Sequence, residues 1–259
     1  MRGSDRRAAI EALLRDHGEV SVEKLAEELA VTPSTIRRDL AELTVEGRVT
    51  RTYGGAVVPA HGEATVRHRA SLAFPQKDAI GRWAAEQVLD GETVLLDAGT
   101  TVARVARRLR ERPGITLVTN GLTALSEVAD GVADILVLGG HLRRVSQGLV
   151  GPLAELGLAR ITADRAFLGA DGLHPRYGIC EAELAQTSLK EQMLDRSREV
   201  YVLADSSKVG QAPFNAWTPV RREWTLVTDD GATDDQLAPF RALPHVTVVT
   251  VPVDHQEAP

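Results

Sequence analysis

The sequence is poor in cysteine, in lysine and in long apolar runs, and it carries no excess of positive charge. One cysteine, Cys180, occurs among 259 residues, so an internal disulfide and a Cys-rich zinc site are both excluded, and its neighbours form no nucleophile motif. A buried thiol is expected. No apolar stretch approaches the roughly 20 residues that span a bilayer. The opening Met1-Arg2-Gly3-Ser4-Asp5-Arg6-Arg7 has no apolar signal-peptide core behind it. A cytoplasmic protein with no membrane partner is expected. The formal net charge of −6 excludes a surface that is basic all over, so any nucleic-acid binding has to come from a local patch. Only Lys24, Lys77, Lys190 and Lys208 are lysines, which singles each of them out.

What is present reads as one small and one larger folded region. Residues 6–15 place Ala9, Ile10, Leu13 and Leu14 at helical spacing and stop at His17-Gly18. Ser21 then precedes Val22, Leu25, Ala26 and Leu29, and its hydroxyl suits the cap of a second helix. Thr32-Pro33 starts a third, with threonine as cap and proline where a missing N–H costs nothing.

In that third helix Ile36, Leu40 and Leu43 fall on one buried stripe. At 100° per residue Ser34 and Arg38 lie on the opposite face, flanked by Thr35 and Arg37. Arginine forks fit guanine edges in a major groove, and hydroxyls hold phosphates. The competing reading, a solvated helix face, gives way to the context of a short helix pair. After Gly47, the run Arg48-Val49-Thr50-Arg51-Thr52-Tyr53 alternates, Gly54-Gly55 reads as a hairpin turn, and Ala56-Val57-Val58 returns. This is a wing, with Arg48, Arg51 and Tyr53 as candidate DNA contacts. Glu23, Glu27, Glu28, Glu42 and Glu46 roughly cancel the arginines, so binding depends on geometry and on two copies of the reader. A homodimer or homotetramer is expected.

The run Val31-Thr32-Pro33-Ser34-Thr35-Ile36-Arg37-Arg38-Asp39-Leu40, followed by Gly47-Arg48 and Arg51-Thr52-Tyr53-Gly54-Gly55-Ala56, resembles the N-terminal pattern of the DeoR family of bacterial regulators. The resemblance implies a winged helix-turn-helix over residues 1–58, a recognition helix at 32–43, and double-stranded operator DNA with repeated half-sites.

Residues 59–75 are irregular, with His61-Gly62, Arg67-His68-Arg69 and two prolines, and read as a linker. Over 76–255 short apolar runs at 93–96, 115–118, 135–138, 165–168, 200–203, 224–227 and 246–251 alternate with helical segments. The fold class is therefore α/β, a mostly parallel sheet covered on both faces. Ligands of such sheets bind beyond the carboxyl ends of the strands. The loops there carry Asp97, Gly99, Thr100 and Thr101, then Thr119 and Asn120, then Gly139 and Gly140, then Asp171, and finally Asp205 and Lys208. Gly99-Thr100-Thr101 opens a helix and offers amides, hydroxyls and a positive dipole end to an anion. A lone Gly-Thr-Thr turn is often only a cap; five such loops at one end of a sheet favour a site. Lys190 and Lys208 are the candidate cations, with Lys77 a weaker one. Aspartates and Asn120 suit sugar hydroxyls. The histidines have no metal-ligand spacing.

The stretches Leu95-Leu96-Asp97-Ala98-Gly99-Thr100-Thr101, Val118-Thr119-Asn120-Gly121-Leu122, Leu138-Gly139-Gly140, Phe167-Leu168-Gly169-Ala170-Asp171-Gly172 and Leu203-Ala204-Asp205-Ser206-Ser207-Lys208 extend the resemblance to the DeoR effector domain. That domain is similar to sugar-phosphate isomerases and to CoA transferases. The resemblance implies a repressor of a carbohydrate-metabolism operon, released by a phosphorylated sugar, with no cofactor, no metal and no catalytic residues. The segment around Gly178-Ile179-Cys180-Glu181 matches less clearly. The alternative is a sugar-phosphate isomerase-like enzyme with an appended DNA-binding head. Such an isomerase places a lysine soon after its Gly-Ala-Asp turn, and here no lysine occurs between Asp171 and Lys190.

Overall fold

A computed structural model describes residues 3–17, 20–45, 49–51, 55–57 and 63–254. The chain divides into two compact units, Met1–Arg69 and Ala70–Pro259. No helix of the described residues is long and apolar enough to cross a membrane.

The first unit runs α1 (Gly3–His17), β1 (Val20–Ser21), α2 (Val22–Glu28), α3 (Pro33–Val45), β2 (Thr50–Arg51) and β3 (Gly55–Val57). The apolar periodicity converges on one cluster that includes Ile10, Leu14, Leu25, Ile36, Leu40 and Leu43, all fully buried. Burying each such side chain contributes about 1.5–3 kcal/mol before the entropy of ordering is set against it. Ser21 caps α2, its hydroxyl accepting from Lys24 N at 3.2 Å. The wing is a three-stranded antiparallel sheet in the order β1-β3-β2. Its β1 was not visible in the sequence, because two residues show no alternation. Gly55 belongs to β3, pairing with Ser21, so it extends the returning strand.

Helix α4 (Val66–Ser71) and the start of α5 (Phe74–Glu86) occupy part of the stretch read as a linker, with Pro75 in the first turn of α5. A six-residue helix between prolines leaves too little periodicity to detect.

The second unit continues β4 (Thr93–Leu96), α6 (Thr100–Leu109), β5 (Thr116–Thr119), α7 (Leu122–Val128), β6 (Asp134–Val137), β7 (His141–Arg143), β8 (Gly148–Val150), α8 (Pro152–Leu158) and β9 (Ala163–Leu168). It then runs β10 (Gly172–His174), β11 (Gly178–Glu181), α9 (Leu184–Asp195), β12 (Ser197–Leu203), β13 (Ala216–Thr218), β14 (Trp224–Asp229), α10 (Asp234–Arg241) and β15 (Val246–Val251). Seven strands form one sheet, β15-β14-β12-β9-β4-β5-β6, and every pairing in it is parallel. Each of the seven apolar runs read from the sequence is one of these strands. Alternate residues feed two cores: Val94, Leu96, Phe167 and Leu203 meet α5, α6 and α7, while Leu95, Ala166, Leu168 and Val202 meet α8, α9 and α10.

Strand order reverses at β4. The chain moves outward through β5 and β6, then returns to place β9 on the other side of β4. The loops after β4 and β9 therefore diverge around one crevice, where a doubly wound sheet holds ligands. Two small sheets lie outside the main one, the hairpin β7-β8 and the three-stranded β10-β11-β13. Their strands, of three or four residues each, fall in stretches to which the sequence assigned no strand.

Candidate functional site

On α3 the sequence pattern is reproduced in space. Ile36, Leu40 and Leu43 are fully buried, whereas Ser34, Arg37 and Arg38 are exposed and Thr35 is half-buried. Thr32 organises the helix start: its Oγ1 lies 2.8 Å from Ser34 Oγ and 2.9 Å from Thr35 Oγ1, and accepts from Thr35 N at 3.3 Å. The Arg38 side chain is 85% exposed and touches Glu42 at 3.9 Å; Arg37 reaches Glu23 at 3.6 Å. Exposed pairs at such distances are worth about 0–1 kcal/mol, so a DNA phosphate or base edge competes with them easily. Arg48, Tyr53 and the Arg51 side chain lie outside the described residues.

The reading of this face missed Asp39, which is buried beside the two outward arginines. It receives a two-pronged contact from Arg6, with Nη2 donating to Oδ1 at 3.1 Å, while Arg7 pairs with Glu42 on the same helix. Asp39 thus ties α1 to α3 beneath the outward arginines. Its signal was an acidic residue inside an arginine-rich helix.

In the second unit the loops beyond β4, β5 and β9 converge. Close approach requires glycine at two positions: a Cβ on Gly121 would stand 2.7 Å from Ala98 Cα, and one on Gly148 would stand 3.0 Å from Ala98 Cβ. The β7-β8 hairpin can therefore lie against the β5–α7 turn, with Leu149 N donating to Asn120 O at 2.7 Å and Leu122 N to Gln147 O at 2.9 Å.

Asp97 is buried at the crevice. Its Oδ1 accepts from Ala98 N at 2.8 Å and its Oδ2 from Gly169 N at 3.0 Å, which joins the loops on the two sides of the switch point. Lys190, on α9, donates to Asp97, to Gly169 O at 2.9 Å and to Glu181, whose Oε1 lies at 3.2 Å. Gln186 Nε2 donates to the other oxygen of Glu181 at 2.8 Å. Burial pushes the Glu181 carboxyl up to about 8, with Lys190 opposing and Asp171 and Asp97 adding to the rise. Burial works against the Lys190 charge, but the two carboxylates outweigh it and lift the ammonium above its ordinary value.

This assigns Lys190 a role different from the free cation suggested by the sequence. All three ammonium protons meet internal acceptors, so its charge is already neutralised. Lys208, half-buried, donates to Ala170 O at 2.6 Å and makes no ion pair among the described residues. It remains the cation that can turn to an anion. Lys77 is buried and donates to Leu72 O at 2.8 Å within its own helix start.

The remaining candidates separate by place. Asp97, Asn120 and Lys190 line one cavity of about 20 Å³, together with Ser146, Gly148 and Gln186. Thr119 sits behind it, fully buried, donating to Leu96 O at 2.7 Å and accepting from Gly121 N at 2.9 Å. Its hydroxyl is engaged with the loop backbone on both sides. Gly99, Thr100 and Thr101 begin α6; Gly99 N is taken by Thr123 Oγ1 at 3.2 Å, and the space a Cβ would fill at Gly99 is open. Gly139 is open in the same way, while Gly140 packs on the Val150 backbone. Asp205 is buried and accepts from Ser207; the Asp171 amide donates to Cys180 O at 3.1 Å. None of these lines the 20 Å³ cavity. Glu181, Ser146 and Gln186 had no distinguishing sequence signal, since single polar residues in a hairpin and on a helix carry none.

Residues 73–230 match the family model described as the DeoR C terminal sensor domain, and residues 6–61 match the DeoR-like helix-turn-helix domain. A putative aga operon transcriptional repressor of Escherichia coli O157:H7 is 32% identical over 92% of this chain and 90% of its own length. The glycerol-3-phosphate regulon repressor of Escherichia coli K12 is 30% identical over 98% of this chain and 97% of its own. Among solved structures, ribose 5-phosphate isomerase A of Methanocaldococcus jannaschii is 20% identical, with a TM-score of 0.38 over 51% of this chain and 52% of that one.

Proposed function

The chain belongs to the DeoR family of transcriptional regulators, and from that premise we propose that it represses a carbohydrate-metabolism operon and leaves its operator when a phosphorylated sugar binds the second unit. Membership makes it a DNA-binding regulator of transcription and not an enzyme. The observation that carries the proposal is the α3 face, where Ser34, Arg37 and Arg38 stand outward over a fully buried stripe. Placed in a major groove, Arg38 reads base edges while Ser34 and Thr35 hold phosphates. Two or four copies then match repeated half-sites in the cytoplasm.

The sensing half is supported by the crevice at the switch point, by the open start of α6 and by a full-length relative named for a glycerol-3-phosphate regulon. A cavity of about 20 Å³ holds little more than one water-sized group, so a sugar phosphate needs the loops around Asp97 to part. Binding only to the parted form gives the ligand its grip on the equilibrium, because a ligand shifts two states by its difference in affinity for them. No cofactor enters this scheme.

The test is operator release. Promoter DNA should be bound at least about a thousandfold better than random DNA at the same salt, and one member of a sugar-phosphate panel should raise the melting temperature and free the DNA. Equal affinity for both DNAs, or no response to any panel member, overturns the respective half.

A further inference from the structure

The residues lining the cavity beside Asp97 carry two buried polar atoms that no described residue engages. Asn120 and Ser146 are each 3% exposed, and neither Asn120 Oδ1 nor Ser146 Oγ has a hydrogen-bond partner among the described residues. The amide of Asn120 is oriented by its own Nδ2, which donates to Leu149 O at 3.2 Å. A buried polar atom without a partner is costly; these two differ from others in the protein in that both residues line one cavity, where an entering group can satisfy them.

We propose that Ser146 and Asn120 form a hydroxyl-recognising subsite, so that the effector must carry a free hydroxyl in addition to its phosphate; this rests on reading the second unit as a sugar-phosphate sensor. The chemistry of the lining excludes the other common groups. Asn120 Oδ1 and the Asp97 carboxylate only accept, and the Ser146 hydroxyl turns to accept or donate. A phosphate group, anionic and made of acceptors, finds no donor in the first two. An ammonium would need the Asp97 carboxylate as its counter-ion, and Lys190 already takes that place. A neutral hydroxyl donates to the amide or carboxylate oxygen and accepts from Ser146, and it matches a cavity of about 20 Å³.

The backbone around Ser146 is held for this purpose. Gln147 takes a left-handed conformation, φ +55°, which costs energy at a residue with a side chain. The bonds from Leu122 N to Gln147 O and from Leu149 N to Asn120 O, with the bridge between Gly121 and Gly148, keep it there. Arg143, at the start of the same turn, pairs with Glu183 at the start of α9, at 3.0 Å. Ser146 is thereby pinned between the β5–α7 turn and the helix that carries Lys190.

Calorimetric titration of the full chain with glycerol 3-phosphate, fructose 6-phosphate, ribose 5-phosphate, propyl phosphate and inorganic phosphate tests the subsite. The wild type should bind at least one of the hydroxylated phosphates about tenfold or more above propyl phosphate. Ser146→Ala should remove most of that preference, leave the affinity for inorganic phosphate unchanged, and leave the melting temperature of the unliganded protein equal or raised, because it deletes a buried hydroxyl without a partner. If no hydroxylated phosphate binds the wild type, the sensor reading itself falls. If one binds and Ser146→Ala binds it within twofold, or if the variant melts several degrees lower, the sensor reading stands and the subsite is wrong.

Discussion

Helix α3 of the first unit and the polar cluster of the second use charge in opposite ways. On α3 the arginines face water, and their carboxylate neighbours stand 3.6 and 3.9 Å away on exposed side chains. At the crevice Lys190 faces inward, enclosed by Asp97, Glu181 and a backbone carbonyl. An outward charge with weak partners is ready for a highly charged polymer, because little is lost when the partner is exchanged. An inward, neutralised charge is a fastening. It joins β4, β9, β11 and α9, and a ligand that enters has to loosen it or fit around it. The regulator thus has one surface that is ready and one site that is locked.

The sharpest way to break this contrast is to remove the fastening. Lys190→Met leaves the buried Asp97 carboxylate without its cation, a change that costs about 3–5 kcal/mol. Urea unfolding should show it in the transition of the second unit. Adding Asp97→Asn to the variant should restore part of the loss, since the buried charge goes with its partner. A lysine that merely faced ligand would change stability by under about 0.5 kcal/mol on removal, and that outcome would make the two regions alike.

The opposite pattern is expected on α3. Arg38→Ala should lower operator affinity by about tenfold to a hundredfold, the range for one base-reading arginine, with unfolding unchanged. Gel-shift titration alongside denaturation checks both. A loss of stability comparable to that of Lys190→Met would mean that Arg38 is structural.

Glu181 gives the contrast a pH signature. Its carboxyl is raised from 4.5 to about 8 in the folded chain, so between those values the folded state keeps a proton that the unfolded chain has released. Stability from this group is full below about pH 4.5, declines as pH rises toward 8, and is flat beyond. Glu181→Gln removes the titration. The difference in unfolding free energy between wild type and variant should therefore drift across that window, with wild type relatively weaker at the alkaline end. A difference independent of pH would show that Glu181 titrates normally and that the cluster is open to water.

Legibility divides along the same line. The α3 face could be read from the sequence because a helix has one period: once Ile36, Leu40 and Leu43 are inward, Ser34 and Arg38 have to be outward. The seven parallel strands were legible because strands buried on both faces are continuous apolar runs. The crevice residues Asp97, Asn120 and Lys190 were found from strand ends and scarce lysines. Their connections were not, since Lys190 and Asp97 are 93 residues apart and no local pattern encodes that meeting. Ser146, Gln186 and Glu181 stayed hidden for the same reason: their importance comes from the cavity and the bonds around Lys190, and a single polar residue in a short hairpin or on a helix carries no local pattern.

The smallest expected effect concerns the carboxylate that sits beside the reading face. Glu23 lies on α2 and meets Arg37 at 3.6 Å, with both side chains more than half exposed. In free protein the pair contributes little, because water and salt screen it. On the proposed reading, Arg37 approaches phosphates in the complex and brings the same carboxylate near them, where like charges oppose each other. Glu23→Ala should therefore leave unfolding unchanged while raising operator affinity a few-fold at low salt. The gain should shrink as salt is added, since screening weakens a repulsion between exposed charges. The measurement is a pair of binding titrations, at low and at physiological ionic strength, on wild type and variant. Weaker binding by Glu23→Ala would show that the carboxylate orients Arg37 for contact. The first unit would then hold its arginine by an internal partner, as the second unit holds Lys190.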